Sequence, residues 1–377
     1  MSRIEEMRTK VTLGEHGLSN VHATDFPGTY VGYDDAWNFN KFMKQFRVDV
    51  VKIEGKEMEF DMVGIDASIA NAFRRILLAE VPTMAIEKVF LYNNTSVIQD
   101  EVLAHRLGLI PLDIDPRLFE FRQNDDTDGT PEDTLEFELK VKCKKNANAP
   151  KDATDPEVLY KKHKVYSGDI KWIPQGSQGD LMTAKPVHDD ILIAKLRPGH
   201  EIDLKMHAVK GIGKDHAKFS PVATASYRLL PEIKLFDSVV GADAEELKAC
   251  FSPGVIELEK NENNVEKAVV VGARKDMCSR EVLRHANLKD RVRLSKVKDH
   301  FIFSVESAVG LPPNVLVSES VKVLMAKCRT LLRALDSDKT DVDASWSRVW
   351  CKQSTRLLDS NRDHGKSGIL HIRRVVV

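Results

Sequence analysis

The stretch Asp66-Ala67-Ser68-Ile69-Ala70-Asn71-Ala72-Phe73-Arg74-Arg75-Ile76-Leu77-Leu78-Ala79-Glu80-Val81-Pro82 decides how the rest of this 377-residue chain is read. Ile69, Phe73, Ile76, Leu77 and Glu80 recur at three- and four-residue steps, the spacing of one helix face, behind Asp66 or Ser68 as N-cap. Pro82 has no amide hydrogen to continue the ladder and ends the helix. Immediately upstream the period changes to two. Phe46, Val48 and Val50 alternate with Arg47 and Asp49, and after Glu54-Gly55 the residues Met58, Phe60 and Met62 alternate with Glu57, Glu59 and Asp61. This predicts a hairpin with one buried face. Downstream, Ile86 to Tyr92 and Val97-Ile98 flank Asn93-Asn94 and predict a second strand pair. Asp100 to Leu107 predicts a short helix closed by Gly108-Leu109-Ile110-Pro111. Residues 1–45 show no clear period and read as an extended arm with local anchors at Phe26-Pro27-Gly28-Thr29-Tyr30 and Tyr33-Asp34-Asp35-Ala36-Trp37.

Between 111 and 285 the chain reads as a separate, strand-rich unit, with alternation at Leu135, Phe137, Leu139, Val141 and Cys143 and at Ile202, Leu204, Met206 and Ala208. Strand character returns at Val292 and Leu294 and at Phe301, Phe303 and Val305. A helix then runs from Glu319 to Leu335 with one apolar stripe of Val321, Leu324, Cys328, Leu331, Leu332 and Leu335. The order predicts an α+β fold: a discontinuous domain of residues 46–110 and 286–336, interrupted by a strand-rich insert of 111–285, with an arm before it and a tail of 337–377 after it. The two helices carry broad apolar faces and have few partner helices. Either each face covers its own sheet, or part of it packs on another protein.

Hydrophobic residues make up 42% of the chain, enough for a substantial core, and 56 basic residues nearly balance 57 acidic ones. No global positive excess exists to drive binding to phosphate backbones, so DNA contact is expected only indirectly. Five cysteines, an odd number with no CxxC pair, argue for a reducing compartment and against a disulfide scaffold or zinc ribbon. No apolar run reaches the roughly 18 residues of a membrane span, and the N-terminus lacks an apolar core of the signal type. A soluble, intracellular protein is expected.

A search for chemistry yields little. The 12 histidines include no HExxH or HxH, and His207 with His216 lacks adjacent ligands at metal spacing. Gly211-Ile212-Gly213-Lys214 resembles part of a phosphate loop, but Asp215 stands where a Walker motif needs Ser or Thr, and a glycine-permitted turn fits better. Ser220-Pro221 and Ser226 lack a nucleophile elbow. Asp125, Asp126 and Asp128 lack the twelve-residue calcium pattern. Adjacent Arg74 and Arg75 lie off the apolar stripe, where solvation is the ordinary outcome and a fork-shaped contact with a partner's carboxylates the alternative. Lys142, Lys144, Lys145, Lys151 and Lys161 to Lys164 lack the interleaved aromatics of a nucleic-acid groove. No catalytic residue, cofactor-binding residue or metal ligand is expected.

Three longer blocks are more specific. Ile69 to Thr83, then Gln99-Asp100-Glu101-Val102-Leu103-Ala104-His105-Arg106-Leu107-Gly108-Leu109-Ile110-Pro111, and His216-Ala217-Lys218-Phe219-Ser220-Pro221 through Tyr227-Arg228-Leu229-Leu230-Pro231 resemble the ordered signatures of the RNA polymerase alpha family. The resemblance covers about residues 26 to 336. Within the family the chain is most similar to the larger alpha-like subunit type shared by polymerases I and III, because Phe219-Ser220 replaces the Trp common after HAK in the polymerase II branch. That branch and the archaeal one often carry a metal-binding cysteine cluster in the insert. With only Cys143, Cys250 and Cys278 here, neither a zinc nor an iron-sulfur site is expected.

The resemblance implies a dimerisation domain made from the two chain ends, whose two helices meet those of a smaller alpha-like subunit. Phe73, Ile76, Leu77, Leu324, Cys328 and Leu331 are then the heterodimer core and Arg75 a contact with the second-largest subunit. The Asp100–Pro111 and His216–Pro221 segments follow as partner-facing or framework elements. Further implied partners are the largest subunit and small polymerase subunits. The implied location is the nucleus, including the nucleolus, and the implied role is assembly, with magnesium-dependent catalysis left to the large subunits. Asp338 to Val377, with Trp346, Trp350 and Cys351, matches nothing in the family and is expected to be an unstructured or lineage-specific extension, or an alternative transcript end, rather than a new functional domain. The competing readings are a polymerase II type subunit and a free-standing nucleotide-binding protein using Gly211 to Lys214.

Overall fold

The structure is a computed structural model that describes residues 3–21, 30–33, 36–122, 129–150, 152–260, 265–337 and 369–371. The Phe26–Thr29 and Asp34-Asp35 anchors, the Asp125–Asp128 loop and Trp346, Trp350 and Cys351 lie outside the described residues. The principal elements in chain order are α1 Arg3–Thr9, β1 Lys10–Leu13, β2 Leu18–Ser19, α2 Phe39–Gln45, β3 Arg47–Glu54, β4 Glu57–Val63, α3 Ala67–Ala79, β5 Thr83–Asn94 and α4 Asp100–Gly108. They continue as β6 Thr134–Lys142, β7 Lys171–Ile173, β8 Glu201–Gly211, β9 Val222–Leu235, α5 Ala242–Ala249, β10 Ile256–Lys260, β11 Glu266–Val270, β12 Val292–Ser307, α6 Pro313–Ser337 and β13 Ile369–His371. The fold is α+β, as expected.

The chain divides into two compact units, one of residues 1–74 and 225–305, the other of 75–224 and 306–377. This division differs from the boundaries read from sequence, because strand pairing crosses them. In the first unit the sheet order is β2-β1-β12-β4-β3, and β9 also pairs with β12. The expected arm is thus partly woven in. Lys10 to Leu13 pairs antiparallel with Val297 to Leu294, and Leu13 is buried. The β3–β4 hairpin forms as predicted around Gly55, which takes a φ of +55° that favours glycine. Only β4 is buried, through Met58, Phe60 and Met62 on one face and Asp61 on the other. All eight residues of β3 are exposed, because β3 is the last strand of its sheet and the alternation of a sequence does not report sheet position. Phe60 stacks on Phe303 at 5.1 Å and Tyr227 meets Phe301 edge-on at 5.5 Å, filling the centre of this unit. Asp61 is held between Arg274 Nη1 at 2.7 Å and His300 Nε2 at 2.8 Å. A second cluster gathers α5 and the β10–β11 hairpin around Val239, Leu247, Val255 and Leu288.

In the second unit the sheet order is β7-β6-β8-β5-β13. The alternating residues of β6 and β8 form its core, with Leu135, Phe137, Leu139, Leu204 and Met206 at 0% exposure. β5 does not form the predicted hairpin with Val97-Ile98. It extends through Asn93-Asn94 and pairs along its length with β8, a partner more than a hundred residues away. Residues 95–98 instead form a loop tied to the Asn94 side chain, whose Nδ2 donates to Ile98 O at 2.9 Å and Asp100 Oδ1 at 2.7 Å. Asn supplied a side-chain clamp there rather than a strand turn. α4 buries Leu103, Ala104 and Leu107, and Arg106 donates to the carbonyls of Ile193 and Leu192. In the expected tail, Ile369 to His371 is an edge strand, pairing antiparallel with Phe90 to Lys88.

Candidate partner-binding helices

Helix α3 is built as its sequence predicts. Asp66 is the N-cap: its Oδ1 accepts from Ser68 N at 2.7 Å and its carbonyl from the amides of Ile69 and Ala70. At the other end Glu80 N and Val81 N both donate to Ile76 O before Pro82 interrupts. Lys214 N donates to Ala79 O at 2.8 Å, satisfying a carbonyl that the helix end leaves open. A Cβ on Gly213 would stand 2.4 Å from Leu78 O, so only glycine permits this approach.

The apolar face of α3 is divided along its length. Ile69 is 38% exposed and Phe73 half-buried, whereas Ile76 and Leu77 are 2% and 1% exposed. The last two are therefore packed inside this chain. Arg74 is pinned to its own helix by Asn71 Oδ1, at 3.0 Å from Nε and 2.8 Å from Nη2. Its neighbour Arg75 is exposed.

Helix α6 has 25 residues, starting six residues before the predicted Glu319. Its first turns are anchored by Leu316 and Ser320, both at 0% exposure. From Val321 to Asp336 no residue is buried. Leu324 is half-buried, Cys328 exposed, and Val321, Met325, Leu331, Leu332 and Leu335 are exposed large apolar groups. At about 100° per residue these seven positions fall within one arc of roughly 120°. The only described inter-element ion pair of this half is Lys327 Nζ with Glu80 at 2.6 Å. Sequence reasoning singled out Leu324, Cys328 and Leu331 but not Met325, Leu332 or Leu335 as contact residues. Leu332 and Leu335 were visible on the stripe, and Met325 sits four residues after Val321.

In the third block Lys218 and Phe219 have interior side chains, whereas Ala217, Ala223, Thr224, Ser226 and Arg228 are exposed. Lys218 Nζ reaches Glu87 Oε2 at 2.5 Å and Ile86 O at 2.8 Å, with side chains 1% and 6% exposed. Phe219 is buried, its ring 2.7 Å from where a Cβ on Gly211 would lie, and its carbonyl accepts from Thr83 Oγ1 at 2.7 Å. His216 Nδ1 accepts from Lys218 N at 3.1 Å. Burial, then the Lys218 charge, lowers the His216 pKa, with a smaller opposing effect of Glu87. Burial raises the thiol pKa values of Cys143 and Cys250, away from thiolate chemistry. Among the described residues no helix is long and apolar enough to cross a membrane.

The model of the RNA polymerase Rpb3/Rpb11 dimerisation domain matches residues 59–328. The chain is similar to the Mus musculus protein named DNA-directed RNA polymerases I and III subunit RPAC1, at 63% identity over 341 residues, 90% of this chain and 98% of that one. The Saccharomyces cerevisiae protein of the same name is 48% identical over 320 residues, 83% of this chain and 95% of its own. The Dictyostelium discoideum DNA-directed RNA polymerase II subunit rpb3 is 32% identical over 297 residues, 76% and 94% of the two chains.

Proposed function

Because this chain belongs to the RNA polymerase Rpb3/Rpb11 dimerisation-domain family, we propose that it is a non-catalytic subunit of DNA-directed RNA polymerases I and III. In this reading it heterodimerises with the smaller alpha-like subunit and so forms the platform on which the two large subunits assemble, in the nucleus and nucleolus. The higher identity to the RPAC1 proteins than to rpb3 favours the polymerase I and III branch over polymerase II. The roles of ribosomal, 5S and transfer RNA synthesis follow from that branch.

The carrying observation is the second half of α6. A lone helix of about 15 residues is marginal in water, and this one presents an apolar arc to solvent while burying nothing of its own. Such a surface fits one half of an obligate, apolar helix pairing. Leu324, Cys328 and Leu331, joined by Val321, Met325, Leu332 and Leu335, are assigned to it, together with Ile69 and Phe73 of α3. Ile76 and Leu77 support α3 from inside. Arg75, exposed and not held by its neighbours as Arg74 is, is assigned to the second-largest subunit. The functional division into a dimerisation part of 46–110 with 286–336 and an insert of 111–285 belongs to the same proposal.

Co-expression with the smaller alpha-like subunit, followed by mass measurement of the purified complex, tests the reading. A one-to-one heterodimer supports it. Recovery with polymerase II components alone rejects the branch, and failure to recover any alpha-like partner rejects the function.

A further inference from the structure

Strand β3 ends its sheet, and the only described strand paired with it is β4. Its eight residues, Arg47-Val48-Asp49-Val50-Val51-Lys52-Ile53-Glu54, are all exposed. Val48, Val50, Val51 and Ile53 are 46%, 55%, 52% and 49% exposed. Of the devices that guard natural edge strands, β3 carries a bulge and charged side chains but no proline, and its charges are confined to one face. In the register with β4, Val48, Val50 and Ile53 lie opposite Met62, Phe60 and Met58, while Arg47, Asp49, Lys52 and Glu54 lie opposite Val63, Asp61, Glu59 and Glu57. The register shift between Val50 and Lys52 sets this arrangement. It adds Val51 as the extra residue and returns Ile53 to the face of Val48 and Val50, where an unbroken alternation would place Lys52.

We propose that β3 is a self-complementary edge through which two copies of this chain pair antiparallel about the Val50–Val51 midpoint. In that two-fold register Arg47 faces Glu54, Val48 faces Ile53, Asp49 faces Lys52 and Val50 faces Val51, each pair occurring twice by symmetry. Every charge meets its opposite, every apolar residue meets an apolar one, and the members of the three outer pairs share a sheet face, as cross-strand neighbours must, with the bulge residue Val51 at the centre. The neighbouring registers are disfavoured. A slip of two residues in one direction puts Asp49 against Glu54, and in the other puts Arg47 against Lys52. A slip of one exchanges the faces.

In the single chain the same charges are paired along the strand, Arg47 with Asp49 and Lys52 with Glu54, each at 2.7 Å. Exposed pairs of this kind hold little energy, so handing them to a second copy is cheap. Eight residues of edge make a small interface, and the expected dimer is weak, with Kd on the order of 10 to 100 µM. β3 shares no residue with α3 or α6, so the proposal stands independently of the heterodimer assignment.

The test is sedimentation equilibrium of the full-length chain from low to high micromolar concentration, with the variants Asp49→Lys, Lys52→Asp, Asp49→Lys/Lys52→Asp and Leu332→Asp. Circular dichroism melting checks that each variant folds. The wild type is expected to dimerise reversibly. Each β3 single variant places like charges opposite each other twice and should weaken the dimer by about tenfold or more. The double variant recreates both pairs with signs exchanged and should restore affinity to within about threefold, and Leu332→Asp should leave it unchanged. A wild type that stays monomeric throughout overturns the proposal. So does a dimer insensitive to the single variants, one abolished by Leu332→Asp, or one that the double variant fails to restore.

Discussion

The amide of Lys214 donates to the carbonyl of Ala79 at 2.8 Å, with Gly213 passing so close to α3 that a Cβ there would lie 2.4 Å from Leu78 O. The glycine-rich Gly211-Ile212-Gly213-Lys214 is thereby a helix C-terminal cap. A phosphate loop offers backbone amides at a helix N-terminus, where the helix dipole is positive. Here one of those amides is consumed by a helix C-terminus, whose partial charge is negative. Gly213→Ala should therefore destabilise the chain by about 1–3 kcal/mol, the usual range for overpacking against a rigid neighbour. Urea denaturation measures it. The same samples should show no melting shift with millimolar ATP, with or without Lys214→Ala, and an ATP shift that disappears in Lys214→Ala would reinstate the nucleotide-binding reading.

The exposure values of the two helices separate residues that the sequence grouped together. Leu332 and Leu331 are 61% and 47% exposed, so Leu332→Asp and Leu331→Asp should leave the free chain within about 0.5 kcal/mol of wild type. Both should abolish recovery of the smaller alpha-like subunit, because each would bury an unpaired carboxylate in the complex. Leu77, at 1% exposure, should behave oppositely. Leu77→Ala is expected to cost about 2–5 kcal/mol in the free chain. Pull-down and thermal melting on the same preparations distinguish the two classes, and wild-type-like pull-down of both α6 variants would refute the assignment of α6.

Much of this architecture was legible because local periods are written into the chain. Asp66 to Pro82 carries its cap, its apolar spacing and its stop, and all three are realised. What failed depended on partners distant in sequence. Val48 and Val50 alternate as a buried strand would, yet lie at a sheet edge. Asn93-Asn94 have turn chemistry, but the pairing of β5 with β8 draws them into a strand and leaves the Asn94 side chain to organise the loop. Ile76 and Leu77 share a helical face with Ile69, and nothing in the spacing says that only one end of that face is already covered. The α6 stripe was readable as a pattern; its lack of a covering element among the described residues was not.

The Lys218–Glu87 pair is interior, with both side chains under a tenth exposed and Lys218 also donating to Ile86 O at 2.8 Å. Lys218→Met should cost about 3–5 kcal/mol, since it leaves the Glu87 carboxylate without its main counter-charge in a desolvated setting. Lys218→Met/Glu87→Leu should recover most of that loss, because the cost lies in the uncompensated charge rather than in the shape of the site. Equal destabilisation of the single and double variants, measured by urea unfolding, would show instead that packing around Ile86 and Phe219 dominates.

His216 connects this framework to pH. Burial in the folded chain, reinforced by Lys218 and His105 and partly opposed by Glu87, holds its pKa below the ordinary 6.5. The unfolded chain therefore binds the proton more readily between the two values. The contribution to stability is fully present above pH 6.5 and declines as the pH falls through 6.5 toward the lowered folded value. His216→Asn keeps a side-chain acceptor for Lys218 N but has no proton to bind in this range. The variant should lose the part of the wild-type stability decline below pH 6.5 that is due to this group. Urea midpoints measured at half-unit pH steps give both slopes. Parallel slopes for variant and wild type would assign the acid sensitivity to other groups, and a steeper slope in the variant would reverse the sign of the effect derived from this geometry.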